Sequence, residues 1–509
     1  MSLSRRIFLT ATGAALWMPV AARAQSQNYH FTLGVASGCP RETSVVLWTR
    51  LAPDPDAGSG GMPPGLTTVR YRICRDPEMR QTVQDGLVET SDAKAHSVHV
   101  TVRGLEPGRE YWYQFHYGED DSPVGRTRTA DSRADSARIA VATCQSYESG
   151  FYAAYADIAD WAPDCVVHVG DYIYEGGANP VGVRTAEHAG RTYAYPTVRS
   201  HTGSEIVTLW DYRRRHALYR SDPQLQAAHA AAPWIMAMDD HEIDNNWAGD
   251  IPQDPERQTL AEFLLRKRAA FQAYYEHMPL EQAPTLAGLQ MYGAYRFGPA
   301  QLLLLDTRQY RSDQVCGQGF PGDFPCRDLA DPSRSMTGEV QEAWLLDRLA
   351  GSTARYNILA QQTWFAPYRY IEASDQRQLN MDQWDGYPVQ RQRLVDAMAN
   401  GVSNPIVLSG DWHCAAAMRI HRDPGDPHSG VVGYEFAATS ISSHCSWVPQ
   451  VHAAASANPH AGYVNGHQRG YLRCTAGPAT WTTAYRTVED PFDAASRCTT
   501  DAEMTTRDL

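Results

Sequence analysis

The sequence predicts an α/β protein in which an N-terminal β-sandwich precedes a larger α/β domain. The chain of 509 residues is long enough for more than one domain. Its first part carries short segments of alternating polarity separated by turn residues, which is typical of an antiparallel sandwich. From about Arg138 onward, short and continuously apolar segments alternate with amphipathic ones. This second pattern indicates a sheet whose strands are buried on both faces, with helices between the strands.

The first 24 residues are predicted to be an export signal. Arg5 and Arg6 precede a weakly apolar stretch at 11–20, and a small-residue cleavage motif ends at Ala24. The apolar stretch is too short to span a bilayer, so we expect no transmembrane segment. The pattern Ser-Arg-Arg-x-Phe-Leu resembles a twin-arginine signal, which implies the Tat export machinery, cleavage near Ala24, and a periplasmic or secreted protein.

The 485 residues that remain (509 − 24) are strongly acidic. The leader holds three of the 45 Lys and Arg residues and no acid, so the mature charge is −16 (42 − 58). This charge argues against a general nucleic-acid-binding surface. Ten cysteines without a CxxC motif disfavour a zinc-finger array or a thioredoxin-like motif. In an oxidising compartment Cys316 and Cys326 could close a small loop.

Residues 29–130 are predicted to form a sandwich of the immunoglobulin or fibronectin kind. Its strands are expected at "SVVLWTRL", "TVRYRICR", "HSVHVTV" and "EYWYQFHY". Leu105, Pro107, Tyr111 and Tyr113 follow the pattern of a tyrosine corner. We expect no chemistry from this domain. A polar segment links it to the next one.

Residues 137–490 are predicted to form the α/β domain, and residues 491–509 a C-terminal tail. Buried strands are expected at "RIAVAT", "DCVVHVG", "WIMAMD", "QLLLLD", "YNILAQ" and "PIVLSG". Helices are expected at "FYAAYADIADWA", "LAEFLLRKRAAFQAYYEHM" and "TGEVQEAWLLDRLAGS". The last of these begins with Thr337 as a candidate N-cap and ends at Gly351.

Chemically active side chains follow five of these strands. They are Cys144, Asp171 with Tyr174, Asp239-Asp240-His241, Asp306 with Arg308, and Asp411 with His413. A single aspartate at a strand end is usually a helix cap. Ligands of open α/β sheets, however, bind beyond the carboxyl ends of the strands, so five such ends together predict one cluster.

The charge of this cluster predicts metal ions. Several carboxylates at one edge would repel one another unless cations neutralise them. Asp171 is the natural candidate for a carboxylate shared by two ions. Two metals about 3.5–4 Å apart acidify a water molecule and stabilise the attacking and leaving oxygens of an in-line displacement. Hydrolysis of a phosphoester has this requirement.

The motifs "GDYIYE", "DDHE" and "SGDWH", in this order, resemble those of calcineurin-like metallophosphoesterases. Together with "LGVASGCPRETSVVLWTRL", "ATCQSYESGFY", "LLLDTRQYR" and "NMDQWDGYP", they make the chain similar to the PhoD-like alkaline phosphatase family. The resemblance implies a β-sandwich followed by a metallophosphoesterase α/β sandwich. It also implies a secreted phosphomonoesterase or phosphodiesterase that uses Fe³⁺ and Ca²⁺.

The resemblance assigns a role to each matching residue. The implied iron ligands are Cys144, Asp171, Tyr174 and His413. Asp171 would bridge to calcium, which Asp240 and Asp411 would also face. Carboxylates in these two positions replace the amide and imidazole of related enzymes and suit a hard cation. Asp171 and Asp240 are thus expected to be catalytic as well as metal-binding.

The remaining candidates concern the substrate. His241 is expected to be catalytic by hydrogen bonding to the phosphate. Asn246 and Asp385 are weaker candidates for contacts with calcium or substrate. Arg308 could clamp a phosphate bidentately or pair with Asp306, and both alternatives stay open.

We therefore predict an exported phosphoric ester hydrolase of the alkaline phosphatase D type, in which a metal-activated hydroxide attacks phosphorus in line. One alternative within this class is a phosphodiesterase of the phospholipase D type. Another is an exported redox protein whose Tyr, Cys and His ligands hold iron for electron transfer. The motif "DDHE" and Asp411 disfavour this last alternative, because redox iron does not require additional carboxylates.

Overall fold

The computed structural model describes residues 29–188, 191–317, 323–370, 378–426 and 428–506. The predicted export signal lies outside these residues and stays a prediction. Within the described ranges, no helix is both long enough and apolar enough to cross a membrane.

The N-terminal region contains eight strands: β1 (Val35–Gly38), β2 (Ser44–Arg50), β3 (Leu66–Cys74), β4 (Thr82–Ser91), β5 (Ser97–Arg103), β6 (Glu110–Tyr117), β7 (Asp120–Asp121) and β8 (Gly125–Arg128). β3, β4, β6, β7 and β8 form one sheet, and β1, β2 and β5 lie side by side in another. Apolar side chains of β2, β3, β5 and β6 pack between the two. The four predicted strands are thereby confirmed. β4 was not predicted from the sequence, because its side chains are exposed or half-buried with one exception and so give no buried apolar pattern.

The predicted tyrosine corner is present. The hydroxyl oxygen of Tyr111 accepts a hydrogen bond from the backbone N–H of Glu106 at 2.9 Å. The bond ties the start of β6 to the turn before it, as in fibronectin-type sandwiches.

The second region contains the remaining strands and the α-helices of the described chain. The strands are β9 (Ala137–Ala142), β10 (Cys165–His168), β11 (Gly182–His188), β12 (Arg191–Thr197), β13 (Pro233–Met236), β14 (Gly293–Phe297), β15 (Ala300–Leu304), β16 (Tyr356–Ala360), β17 (Pro405–Ser409), β18 (Ala415–His421), β19 (Val431–Ala437), β20 (Ala461–Asn465), β21 (Gly470–Ala476), β22 (Trp481–Val488) and β23 (Cys498–Thr505). The helices are α1 (Ala153–Trp161), α2 (Leu209–Arg220), α3 (Pro223–Ala231), α4 (Leu260–His277), α5 (Gly338–Ala350), α6 (Pro388–Ala399) and α7 (Val448–Ala454).

Two large sheets pack face to face in this region. One has the order β23-β22-β21-β9-β10-β13-β1-β2-β5, and the other β14-β15-β16-β17-β19-β18-β20. Val141, Val167 and Ile235 of the first sheet share a core with Leu302 and Ile406 of the second. α1 to α4 cover the outer face of the first sheet, and α5 and α6 that of the second. The predicted α/β sandwich is therefore present, and the six strands expected to be buried are β9, β10, β13, β15, β16 and β17.

Strand pairing crosses two of the predicted domain boundaries, which stay predictions. β1 pairs in parallel with β13, so half of the N-terminal sandwich continues the sheet of the second region. Residues 491–509 are not merely a tail, because β23 pairs along its length with β22. Both pairings escape a reading of the sequence for one physical reason. Strand pairing joins segments that are distant in sequence, and the exposed edge strand β23 carries few apolar residues to reveal it.

Smaller expectations are also resolved. Cys316 and Cys326 form a disulfide. α5 begins after Thr337 and ends at Ala350, with Gly351 as its C-cap, as predicted. The Thr337 hydroxyl does not cap the helix; it accepts a hydrogen bond from Gln390 Nε2 at 2.7 Å.

Candidate metal centre

The loops that follow the parallel strands hold several side chains in an unusual backbone conformation. Of the twelve described non-glycine residues with positive φ, five belong to the predicted site. They are Cys144 (55°), Asp171 (59°), Asn246 (54°), Asp411 (62°) and His413 (53°). This conformation costs roughly 1–2 kcal/mol per residue. Strain concentrated in this way typically marks a functional site.

The four predicted iron ligands lie together. Ligand atoms of Cys144, Asp171 and His413 are within 4.8 Å of one another. Tyr174 OH donates to Asp171 Oδ2 at 2.9 Å and lies 3.2 Å from His413 Nε2. His413 Nδ1 lies 2.7 Å from the carbonyl oxygen of His444, to which it donates, so that Nε2 is left for an ion. Metal-binding histidines are commonly oriented in this way.

Two further groups of ligand atoms adjoin the first. Asp171 also lies within 4.8 Å of Asp240 and His241, and Asp240 within the same distance of Asp239 and Asp411. Asp171 and Asp240 therefore each belong to two groups of candidate ligands. The predicted calcium ligands are brought together beside the predicted iron ligands, with Asp171 between them.

The electrostatics of this cluster favour the binding of cations. Burial, reinforced by neighbouring carboxylates, raises the pKa of Asp171 and of Asp411 well above the ordinary value for aspartate. Burial likewise raises the pKa of Cys144 and of Tyr174. Without a bound cation, the ionised forms of these four groups are disfavoured. Nearby cations would stabilise the charged forms.

The donor set fits two kinds of ion. Burial lowers the pKa of His413 to about 3, which leaves a neutral imidazole with a free electron pair. A thiol, a phenol, an imidazole and a carboxylate suit a trivalent iron ion, and a set of carboxylates suits calcium.

Comparison with known proteins identifies the family of the chain. The model of the PhoD-like phosphatase family matches residues 139–485, and the model of the N-terminal domain of PhoD-like phosphatases matches residues 17–131. The chain belongs to the PhoD-like phosphatase family. It is therefore a phosphoric ester hydrolase.

Individual relatives cover most of the chain. It is 42% identical over 475 residues to alkaline phosphatase D of Bacillus subtilis (strain 168), covering 91% of this chain and 78% of that protein. A solved structure described as "Structure of PhoD" matches with a TM-score of 0.87 and 41% identity, covering 94% of this chain and 90% of the other. The α/β architecture of this PhoD-like phosphatase is thus shared with a solved structure.

A contact of Arg308 with substrate stays a prediction. Its guanidinium is buried, with Nε donating to Asp239 Oδ1 at 2.5 Å and both terminal nitrogens donating to Asp382 at 2.8 Å. Its donors are therefore already taken by carboxylates. With Asp306 the described structure shows a different contact, because the Asp306 carboxylate accepts the backbone N–H of Arg308.

A contact of Asp385 with calcium or substrate stays a prediction. Its carboxylate accepts from Arg391 Nη1 at 2.5 Å and from the backbone N–H of Tyr368 at 3.0 Å. It is buried and acts within the fold of its loop. The motif "NMDQWDGYP" does supply a residue near the metal ligands, but that residue is Asp382, through its contact with Arg308.

His241 is placed as predicted beside the ligands. Its Nδ1 lies 2.7 Å from Glu175 Oε2, and its ring stacks on Tyr174 with 4.2 Å between ring centroids. Asn246 donates its backbone N–H to Asp240 at 2.8 Å. A role of its side chain toward calcium or substrate stays a prediction.

Glu242 was missed although it lies in the motif "DDHE". Its buried carboxylate accepts the backbone N–H groups of Asp171 at 3.1 Å, Tyr172 at 2.6 Å and Asp239 at 2.8 Å. Glu242 thus fastens two ligand-bearing loops to each other. Glu175, which orients His241, lies in the motif "GDYIYE", but the sequence alone predicts no role for it.

Residues 439–447, here named the serine loop, were also missed. Ser443 Oγ lies 2.7 Å from both Tyr174 OH and the carbonyl oxygen of Cys144. The adjacent His444 carbonyl orients His413. The loop therefore contacts three of the four candidate iron ligands. Its small polar residues carry no motif, and its position directly after β19 is the one signal that could have found it.

Proposed function

We propose that this PhoD-like phosphatase is an exported metallophosphoesterase that hydrolyses phosphate esters at a centre containing Fe³⁺ and Ca²⁺. The supporting observation is the position of Asp171, which belongs to two adjoining groups of candidate ligands. A carboxylate in this position can bridge two cations. The proposed iron ligands are Cys144, Asp171, Tyr174 and His413, and the proposed calcium ligands Asp171, Asp240 and Asp411.

When bound, two such ions acidify a water molecule and stabilise negative charge on the phosphoryl oxygens. The chain's own contribution is orientation. Glu242 holds the backbone of Asp171 and of Asp239, which sets the positions of two ligand loops. The serine loop holds Tyr174 and His413 from the opposite side.

His241 is proposed to bind the phosphoryl group. Because Nδ1 is engaged by Glu175, Nε2 is the nitrogen left to donate to a phosphoryl oxygen. Burial alone would lower the pKa of His241, but the carboxylates of Glu175 and Asp240 outweigh it and raise the pKa well above its ordinary value. The protonated, donating form is thereby favoured. Stacking on Tyr174 fixes the plane of the ring.

The metal content and substrate class can be tested on one preparation. Purified protein is analysed for elements, stripped with a chelator and reloaded with Fe³⁺, Ca²⁺ or both. Turnover of 4-nitrophenyl phosphate and of bis(4-nitrophenyl) phosphate is then measured. We expect activity to disappear on chelation and to return in full when both ions are supplied. Full activity of the stripped protein would contradict the proposal, and turnover of the diester alone would indicate a phosphodiesterase.

Export is tested separately. The double substitution Arg5→Lys and Arg6→Lys should leave folded protein in the cytoplasm, because the paired arginines define a twin-arginine signal. Arg23→Lys, outside the pair, serves as the matched control and should be exported normally. Cell fractionation is the measurement, and normal export of the double variant would contradict the assignment.

A further inference from the structure

Two cysteines meet directly behind the candidate metal ligands. Cys414 follows His413 in the chain, and Cys445 follows His444 in the serine loop. Their Sγ atoms are 3.3 Å apart. A disulfide bond is about 2.05 Å long, so the sulfurs need to approach by about 1.3 Å to be joined. The two residues are 31 positions apart in the sequence.

This pair differs from the other thiols of the described chain. Eight described cysteines are free, and where the other six form side-chain hydrogen bonds, these are with hydroxyl groups or a carbonyl oxygen and not with a second thiol. The same chain already carries one disulfide, Cys316–Cys326. Disulfides of this kind are typical of proteins in oxidising compartments. The geometry and the chemical setting therefore both favour oxidation of the pair.

We propose that Cys414 and Cys445 form a second disulfide, which fastens the serine loop to the start of β18. The oxidant is a disulfide compound R–S–S–R of the oxidising compartment. One cysteine thiolate attacks a sulfur of R–S–S–R and releases one R–SH, and the other thiolate then displaces the second R–SH. The two cysteines lose two electrons and two protons, and R–S–S–R is reduced to two R–SH.

The position of the bond gives it a consequence for the site. Cys445 is one residue from His444, whose carbonyl oxygen lies 2.7 Å from His413 Nδ1. It is two residues from Ser443, which contacts Tyr174. Arg469 joins the same two segments by donating to the carbonyl oxygens of His413 and Ser443 at 2.9 and 2.8 Å. A covalent link at this point restricts the loop that holds two candidate iron ligands.

The bond rests on the proposed export to an oxidising compartment but not on the proposed metal centre, and it is tested by peptide mapping. Protein is collected from the compartment to which it is exported, unfolded without reductant, alkylated and digested for mass spectrometry. With two disulfides, six of the ten cysteines are alkylated (10 − 4), and the peptides containing Cys414 and Cys445 are found linked. Alkylation of eight cysteines, including Cys414 and Cys445, would overturn the proposal.

A pair of matched variants measures the effect of the bond. Cys445→Ala removes the link, whereas Cys474→Ala removes a buried thiol that has no thiol partner. Loss of a link over some 31 residues should lower the unfolding midpoint by roughly 5 °C more than the control substitution does. Equal midpoints would overturn a stabilising role for the bond. If Cys445→Ala does not fold, the peptide map of the unaltered chain still decides the question.

A final measurement separates this effect from the Cys316–Cys326 disulfide. Dithiothreitol is added to a Cys316→Ser, Cys326→Ser background, in which the proposed bond is the one left to reduce. We expect the reductant to lower the midpoint to that of Cys445→Ala in the same background and to speed the release of bound iron. An unchanged midpoint would count against the bond. A lowered midpoint with no change in iron release would leave the bond in place and contradict its link to the metal site.

Discussion

Two glycine–aspartate pairs bring the ligand loops close together. A Cβ on Gly170 would lie 2.4 Å from Asp239 Cβ, and a Cβ on Gly410 would lie 2.6 Å from Thr143 Oγ1. Each glycine precedes a candidate ligand, Asp171 or Asp411. Glycine has no side chain to clash at these two points. The strand ends can therefore approach closely enough for the carboxylates to share ions. The motif "GD" thus has a steric reason as well as a chemical one.

Asp171→Asn should remove metal and activity together. An amide carries no charge and bridges two cations poorly. Loss of one transition-state contact costs about 10²–10³ in rate, and loss of both ions should cost more. Elemental analysis and kcat are measured on the same sample, with the half-exposed Asp254→Asn, away from the candidate ligands, as control. Full metal occupancy together with near-normal kcat would show that Asp171 does not bridge.

Tyr174→Phe should remove the visible colour that a ferric phenolate would give. Burial raises the pKa of the Tyr174 phenol, so it takes a bound cation to make it a phenolate. Tyr172→Phe is the matched control, since Tyr172 OH lies 2.8 Å from His229 Nε2 in the core and away from the ligands. Absorption spectra of the iron-loaded proteins are compared. If the colour is lost in Tyr172→Phe but kept in Tyr174→Phe, then Tyr172 and not Tyr174 is the iron ligand.

Among the elements, α1 is anchored to its sheet by one charged residue. Asp157 accepts hydrogen bonds from Arg473 of β21 at 2.8 Å and from Arg486 of β22 at 2.9 Å. Tyr471 OH also donates to it, at 2.7 Å. Three contacts to two adjacent strands fix the position of the helix that directly follows the Cys144 loop. A surface ion pair would contribute far less than this partly buried network.

Asp157→Asn should lower the free energy of unfolding by about 1–2 kcal/mol at pH 7, a charged hydrogen-bond value reduced for partial exposure. Burial opposes ionisation, but Arg486 and Tyr471 outweigh it and lower the pKa of Asp157. A lowered pKa stabilises the fold above the unfolded value near 3.8, and this stabilisation disappears as pH falls through the folded value. The difference from wild type should therefore shrink below pH 4.

Urea denaturation at pH 7 and at pH 3.5 provides the measurement. The exposed Asp160→Asn on the same helix is the control and should change stability little at either pH. A difference between wild type and Asp157→Asn that stays constant down to pH 3.5 would mean that the pKa is not lowered.

At the scale of the whole molecule, the N-terminal region is part of the catalytic fold. β1 pairs with β13, and β2 and β5 complete that side of the first large sheet. Trp48 is buried and donates from Nε1 to the carbonyl oxygen of Glu276 at 3.1 Å. The interface thus includes a continuous sheet as well as side-chain contacts.

A chain that begins at residue 131 should fail to fold stably. Removal of 29–130 would expose the edge of β13 and the apolar surface covered by β1 and β2, which promotes aggregation. Soluble yield and cooperative unfolding followed by circular dichroism are compared with those of residues 25–509. A soluble fragment that unfolds in one transition at the wild-type midpoint would show that the two regions are independent.

The sequence by itself determined the features that depend on local pattern. Continuous apolar runs located β9, β10, β13, β15, β16 and β17. Because residues after parallel strands must meet at one edge, the same runs also placed Cys144, Asp171, Asp240 and His413 in one cluster. The motifs that carry these residues are short and contiguous, so they can be recognised in the sequence without knowledge of the fold.

Only the tertiary structure decided which partner each polar side chain takes. Arg308 could not be assigned to Asp239 and Asp382 from the sequence, because these carboxylates are 69 and 74 residues away. The serine loop contacts Cys144, which is 299 residues away in the sequence. β1 pairs with β13, and no sequence pattern predicts this pairing. Packing brings such distant segments together, and a hydrogen bond depends on the distance between atoms in space, which periodicity along the chain does not encode.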